Sequence, residues 1–173
     1  RSGSGKSTAL TLMAGLDLPA DGEILYEGTS TRQMDLNLYR RSKAAVIYQN
    51  FQLFPLLTAL ENVMYPMELK KIPRKEARSR AEEYIRKVGL SETVFHRFPS
   101  RLSGGEQQRV AIARAMAVQT RLLLGDEPTG NLDAANTENI MRLLVRLAHE
   151  DGYCVVIVTH DLGLLDQMDQ VYQ

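Results

Sequence analysis

Apolar residues fall along the chain in two textures. Short unbroken runs at Ala44–Tyr48, 121–125 and 155–158 read as strands buried on both faces. Longer stretches between them carry helical spacing. Residues 9–14 continue as a helix after Lys6, and Thr58 starts another over Ala59–Leu69, with Glu61 in capping-box register and Pro66 placed to kink or split it. Residues 74–88 set Ala77, Ala81, Ile85 and Val88 on one stripe, and Gly89 stops it. From Ser103 to Val118 the chain is apolar nearly all round (Val110, Ile112, Ala113, Ala115, Met116, Ala117), which predicts a buried helix. Residues 134–150 turn Ile140, Leu144, Leu147 and Ala148 inward, and a short helix is expected over 161–168. Near the start, Asp21-Gly22 is a hairpin signal, followed by a short strand at 23–26 and a polar loop at 27–33.

Strands alternating with helices argue for an α/β fold built on a mostly parallel sheet covered on both faces. The helix-rich stretch, about 52–114, then reads as a helical subdomain inserted within one domain over 1–173.

Composition narrows the classes. The 173 residues are 44% hydrophobic, enough for one sizeable core, and 21 Lys plus Arg balance 21 Asp plus Glu, so no global field points to nucleic acid. No apolar run is long enough to span a bilayer, so membrane association is expected only through a partner. Cys154, the single cysteine, has no internal disulfide partner and is expected to be a small buried residue of its strand. The three histidines are scattered. The basic run from Lys70 to Lys75 is expected to be a solvated helix start rather than a lipid-headgroup site.

The chemistry gathers at strand ends and helix starts. Arg1-Ser2-Gly3-Ser4-Gly5-Lys6-Ser7-Thr8 follows the phosphate-loop pattern G-x-x-x-x-G-K-[ST], except that its first glycine would fall before Arg1, so the chain reads as a fragment. Glycines let backbone N–H groups approach phosphate oxygens, and a following helix adds the partial positive charge of its N-terminus. Lys6 would grip the β- and γ-phosphates, and the Ser7 hydroxyl would take a Mg²⁺ position. The strands deliver Gln49, then Asp126 with Glu127, then Thr159 with His160. In open parallel sheets ligands bind beyond the carboxyl ends of the strands, so these features should converge on one crevice with the loop. Phosphoryl transfer to water assigns Asp126 to Mg²⁺ and Glu127 to the attacking water; Gln49 suits metal or water, and His160 can bridge the γ-phosphate. Residues Ser103-Gly104-Gly105 form either a second anion site or an ordinary Ser-capped helix entry, and Asp133 either caps the helix at Ala134 or serves an interface.

Lys6-Ser7, Gln49, Leu102-Ser103-Gly104-Gly105-Glu106-Gln107, Leu124-Gly125-Asp126-Glu127 and His160 stand in the order found in ATP-binding-cassette ATPases, which the chain resembles over almost its whole length. Glu127-Pro128-Thr129-Gly130-Asn131-Leu132-Asp133 and Thr58-Ala59-Leu60-Glu61-Asn62-Val63 are most similar to the lipoprotein-releasing, macrolide-export and cell-division branch. The resemblance implies an ATP-hydrolysing subunit that powers a membrane transporter, with ATP and Mg²⁺ as ligands. It implies two chains, identical or not, sandwiching two ATP molecules head to tail, the 103–105 amides of one meeting the γ-phosphate held by Lys6 of the other. It also implies coupling through Gln49 and the helical block to a membrane permease, at the cytoplasmic face of the membrane. The family's adenine-stacking aromatic would lie upstream of Arg1, so no residue here is assigned to the base. The alternative, a soluble relative acting on DNA or ribosomes, is disfavoured by the short interval between Gln49 and Leu102 and by the neutral charge.

Overall fold

The computed structural model describes residues 5–172. Helix α1 (Lys6–Met13) leads to a hairpin of β1 (Leu25–Tyr26) and β2 (Thr29–Ser30). Its turn is Glu27-Gly28, both at positive φ (50° and 78°), as a tight two-residue hairpin turn requires, and not the expected Asp21-Gly22. The expected strand at 23–26 is confined to Leu25–Tyr26, and the polar loop at 27–33 contains β2 and a 3-10 turn. A helix not foreseen follows, α2 (Leu36–Ser42), whose first N–H groups are capped by the Asp35 carboxylate.

Strands β3 (Ala44–Tyr48), β4 (Leu122–Asp126) and β5 (Cys154–Val158) pair parallel in the order β3-β4-β5. Alternation along them supplies two cores. Leu124, Ala44 and Val46 face α1 and α2, with Leu10, Ala14 and Tyr39. Ala45, Ile47 and Leu123 face α3 (Ala59–Leu69), α4 (Arg74–Lys87), α5 (Gly104–Ala117) and α6 (Ala134–His149). Both faces are covered, as the sequence pattern requires.

Local signals explain most boundaries. Thr58 and Glu61 form the expected capping box on α3, and Ala77, Ala81, Ile85 and Val88 are fully buried on α4 and its cap. Pro66, however, does not split α3: the helix runs on through Leu69, because its stripe of Leu60, Val63, Met64 and Met67 is anchored in the core on both sides of the proline. Cys154 is exposed rather than buried, and Val155 to Val158 are only half-buried: β5 is one of the two edge strands of the described sheet and has thinner helix cover than the other, β3. The 161–168 segment is a 3-10 turn (Leu162–Gln167). The basic run is the solvated approach to α4 at Lys71, Arg74 and Lys75, as expected, but not at Lys70, whose ammonium donates to the Val118 carbonyl and whose burial lowers its pKa.

Candidate functional site

The parallel register sets Tyr48, Asp126 and Val158 level with one another. Gln49, Glu127 and Thr159 therefore leave the sheet along one edge, the convergence expected from strand ends. Helix α1 points the same way. Its last turn is tied to α2, which feeds the start of β3: the Tyr39 hydroxyl donates to the Met13 carbonyl (2.9 Å), and Arg40 donates to the Gly15 carbonyl. Packed on β4 and β5, α1 thus directs its N-terminus, with Gly5 and Lys6, toward the carboxyl ends of the strands. Gly5 adopts φ 79°, the left-handed conformation that favours glycine, and its carbonyl accepts the Ala9 N–H at 2.8 Å. Ser7 and Thr8 lie exposed in the first turn. Ser2, Gly3 and Ser4 lie outside the described residues.

Glu127 is the most constrained residue of this edge. It is a non-glycine residue at φ 48°, a conformation kept only where the surroundings fix it. Its Oε1 lies 2.8 Å from His160 Nδ1; its Oε2 accepts the Thr159 hydroxyl (3.0 Å) and the His160 N–H (3.3 Å). Thr159 Oγ1 in turn accepts the Asp161 N–H at 3.0 Å. Asp126, half-buried beside this group, takes no hydrogen bond or ion pair at its carboxylate among the described residues.

Gln49 is engaged elsewhere. Its Nε2 donates to Asn131 Oδ1 (3.2 Å), and Asn131 Nδ2 donates to the Gln49 carbonyl (3.2 Å) and to Asn50 Oδ1 (2.7 Å). The loop beyond Gln49 bends through two left-handed residues, Phe51 (φ 56°) and Gln52 (φ 47°). Arg114 of α5 holds their carbonyls at 3.0 and 2.6 Å, and its burial pushes its pKa down. Buried Asn62 fixes the next stretch through the Phe54 N–H and the Phe54, Leu57 and Thr58 carbonyls. Sequence reasoning missed the parts played by Thr159, Asn131 and Arg114. An arginine on the apolar helix α5 was the available signal for the last.

Residues Ser103, Gly104 and Gly105 open α5 against Phe51, Leu132 and Asn136. Ser103 is its N-cap in a full capping box with Glu106, which occupies the Ser103 N–H (2.7 Å). Asp133 caps α6, accepting the Asn136 N–H at 2.9 Å, and that bond together with the Asn136 side-chain amide lowers its pKa. A Cβ on Gly105 would stand 2.3 Å from Asn136 Oδ1. Gly105→Ala must push the Asn136 amide off Asp133, a cost of about 1–3 kcal/mol offset by about 1 kcal/mol of helix propensity, so it should destabilise the protein by up to about 2 kcal/mol. Asn136→Ala in the same chain should recover part of that loss, measured by denaturant unfolding.

A helix headed by Gly5 and Lys6 that is directed at the carboxyl edge of a parallel sheet, with acidic residues at the end of the central described strand, is the arrangement of an α/β fold of the P-loop class. Residues 1–130 match the family model described as ABC transporter. An ABC transporter ATP-binding protein of Thermotoga maritima is 47% identical over 169 residues, covering 96% of this chain and 71% of that protein. The Methanocaldococcus jannaschii protein MJ0796 is 46% identical over 169 residues, covering 94% and 72%. Two solved structures of MJ0796 superpose with a TM-score of 0.85 at 44% identity, covering 96% of this chain and 75% of those chains. One is the dimeric structure of that cassette; the other is a dimeric post-hydrolysis state bound to ADP and Pi. The chain belongs to the ABC transporter family and is an ATPase of its ATP-binding subunit type. An ATPase acting on DNA or ribosomes is not favoured.

Proposed function

We propose that ATP is hydrolysed at the carboxyl edge of β3, β4 and β5, in a head-to-tail pair of cassettes whose sites each take residues from both chains. The observation that carries this reading is the cluster of Glu127, Thr159 and His160 beside Asp126, at the edge toward which Gly5 and Lys6 are directed. A carboxylate offers about four acceptor positions. Thr159 and His160 engage three of Glu127's, which leaves Oε1 room to accept a hydrogen bond from a water and fixes where that water stands. Glu127 orients that water and accepts its proton; His160, joined to Glu127, bridges to the γ-phosphate; Lys6 and the amides of 2–8 hold the phosphate chain.

The residues present fit Mg²⁺. Asp126 is a half-buried carboxylate without a partner among the described residues, and the Ser7 hydroxyl is exposed at the head of α1. Asp126 and Ser7 would hold the ion, with Gln49 joining once released from Asn131. When bound, Mg²⁺ would neutralise charge on the β- and γ-phosphate oxygens.

Gly104 and Gly105 open α5 against Leu132 and Asn136, and in this reading their amides serve the ATP held by a second chain. The dimeric structures of MJ0796 support the pairing. A permease partner is supported by a largely apolar groove of about 450 Å³ beside the Gln49 loop, lined by Tyr48, Phe54, Tyr65, Pro66 and Leu69 together with four basic side chains. Leu56 and Leu69 stand exposed in the same region. Among the described residues no helix is long and apolar enough to cross a membrane. From its place among ABC transporter ATP-binding proteins, we place the chain on the cytoplasmic face of the membrane, held by that permease. In this reading residues 52–114 act as the helical subdomain that carries permease movement to Gln49. Light scattering tests the pairing: Glu127→Gln protein should double its mass on adding ATP and Mg²⁺, but not ADP. An unchanged mass would contradict it.

A further inference from the structure

The turn that presents Glu127 is held from more than one layer. Within the sheet edge, the Glu127 N–H donates to the Val158 carbonyl (2.9 Å) and the Gly130 N–H donates to the Glu127 carbonyl (3.0 Å). From outside it, Gln108 Nε2 on α5 donates to the Pro128 carbonyl at 2.6 Å. Pro128 is itself wedged over Gly125, where a Cβ would stand 3.1 Å from its Cγ. Gln108 is fully buried, and its Oε1 is also buried and lacks a hydrogen-bond partner among the described residues. Leaving an amide oxygen unmet in an apolar helix is costly, so a hydrocarbon side chain of the same size would serve stability alone better. What Gln108 adds is the bond to Pro128. It also lies one helical turn from Gly104 and Gly105, on the same face of α5.

We propose that Gln108 is a positioning residue for Glu127. It clamps the Pro128 carbonyl to α5, so that a shift of the Ser103-Gly104-Gly105 end of that helix reaches the Glu127 carboxylate of the same chain. In a head-to-tail pair, that link connects the ATP touched by residues 103–105 with the ATP attacked beside Glu127. The inference rests on the reading of Glu127 as the residue that aligns the attacking water.

The test is steady-state ATP hydrolysis and equilibrium ATP binding by the intact protein. Gln108→Met keeps the volume while removing both the donor and the unmet oxygen. It should lower kcat about tenfold, a modest misplacement of a catalytic group, with KM and ATP affinity within about twofold of wild type. Gln108→Asn keeps the amide one methylene short of Pro128 and should act likewise; it carries the test should the methionine variant fail to fold. In a Glu127→Gln background, Gln108→Met should change the residual turnover little, because the group it positions is already gone. Wild-type kcat in a variant that binds ATP would overturn the inference, and so would a full additional tenfold loss in the Glu127→Gln background. Wild-type turnover in Glu127→Gln alone would instead remove Glu127 from its role, and the inference with it.

Discussion

Replacing Glu127 by glutamine is expected to leave ATP bound and lower turnover by about 10²–10⁴-fold, the usual worth of a positioned general base. The amide keeps the size of the carboxylate and can still accept the Thr159 hydroxyl. It cannot take a proton from water. The left-handed turn at residue 127 depends on backbone bonds to Val158 and Gly130, which the substitution spares. Loss of turnover without loss of affinity, read from phosphate release and ATP titration on the same preparation, is the expected signature. Wild-type turnover would transfer the base role to another residue.

Lys6→Ala should act on the other half of the problem. A hydrogen bond to a charged group is worth about 1.5–3 kcal/mol, so removing the ammonium should weaken ATP binding by about 10- to 100-fold. The α1 helix should survive, because its core contact is Leu10 and alanine is a good helix former. Unchanged ATP affinity would show that the loop ahead of α1 does not hold the phosphates.

Much of the frame was legible because it rests on local rules. Three apolar runs became the three parallel strands, and the caps at Thr58, Ser103 and Asp133 lie where side-chain oxygens stand before helical stretches. For Ser103 and Asp133 capping was one of two readings; the structure bears it out and leaves the other open. Helix α2 escaped notice because seven residues with one buried side chain, Tyr39, carry too little periodicity, although Asp35 was a fair start signal. The hairpin turn was misplaced because Asp21-Gly22 offers the stronger dipeptide, while Glu27 adopts a positive φ that its residue type does not advertise. Cys154 was misjudged since apolar runs predict burial only where further strands or helices cover them.

The contacts that shape the site were less readable still. Glu127 meets His160 across 33 positions, Gln49 meets Asn131 across 82, and Gln108 reaches Pro128 from another layer. Strand-end logic could bring these residues to one edge. It could not show that Gln49 pairs with Asn131, or that Glu127 and His160, expected to have separate tasks, share a hydrogen bond. Register and close packing decide such pairings, and neither leaves a periodic trace in the chain.

A crystal structure of the Glu127→Gln protein with ATP and Mg²⁺ tests the account most directly. The γ-phosphate should lie within hydrogen-bond reach of Lys6 and beside residue 127 of one chain, with the 103–105 amides of the second chain closing over it. A nucleotide bound away from the carboxyl edge of β3, β4 and β5, or a γ-phosphate remote from residue 127, would contradict it.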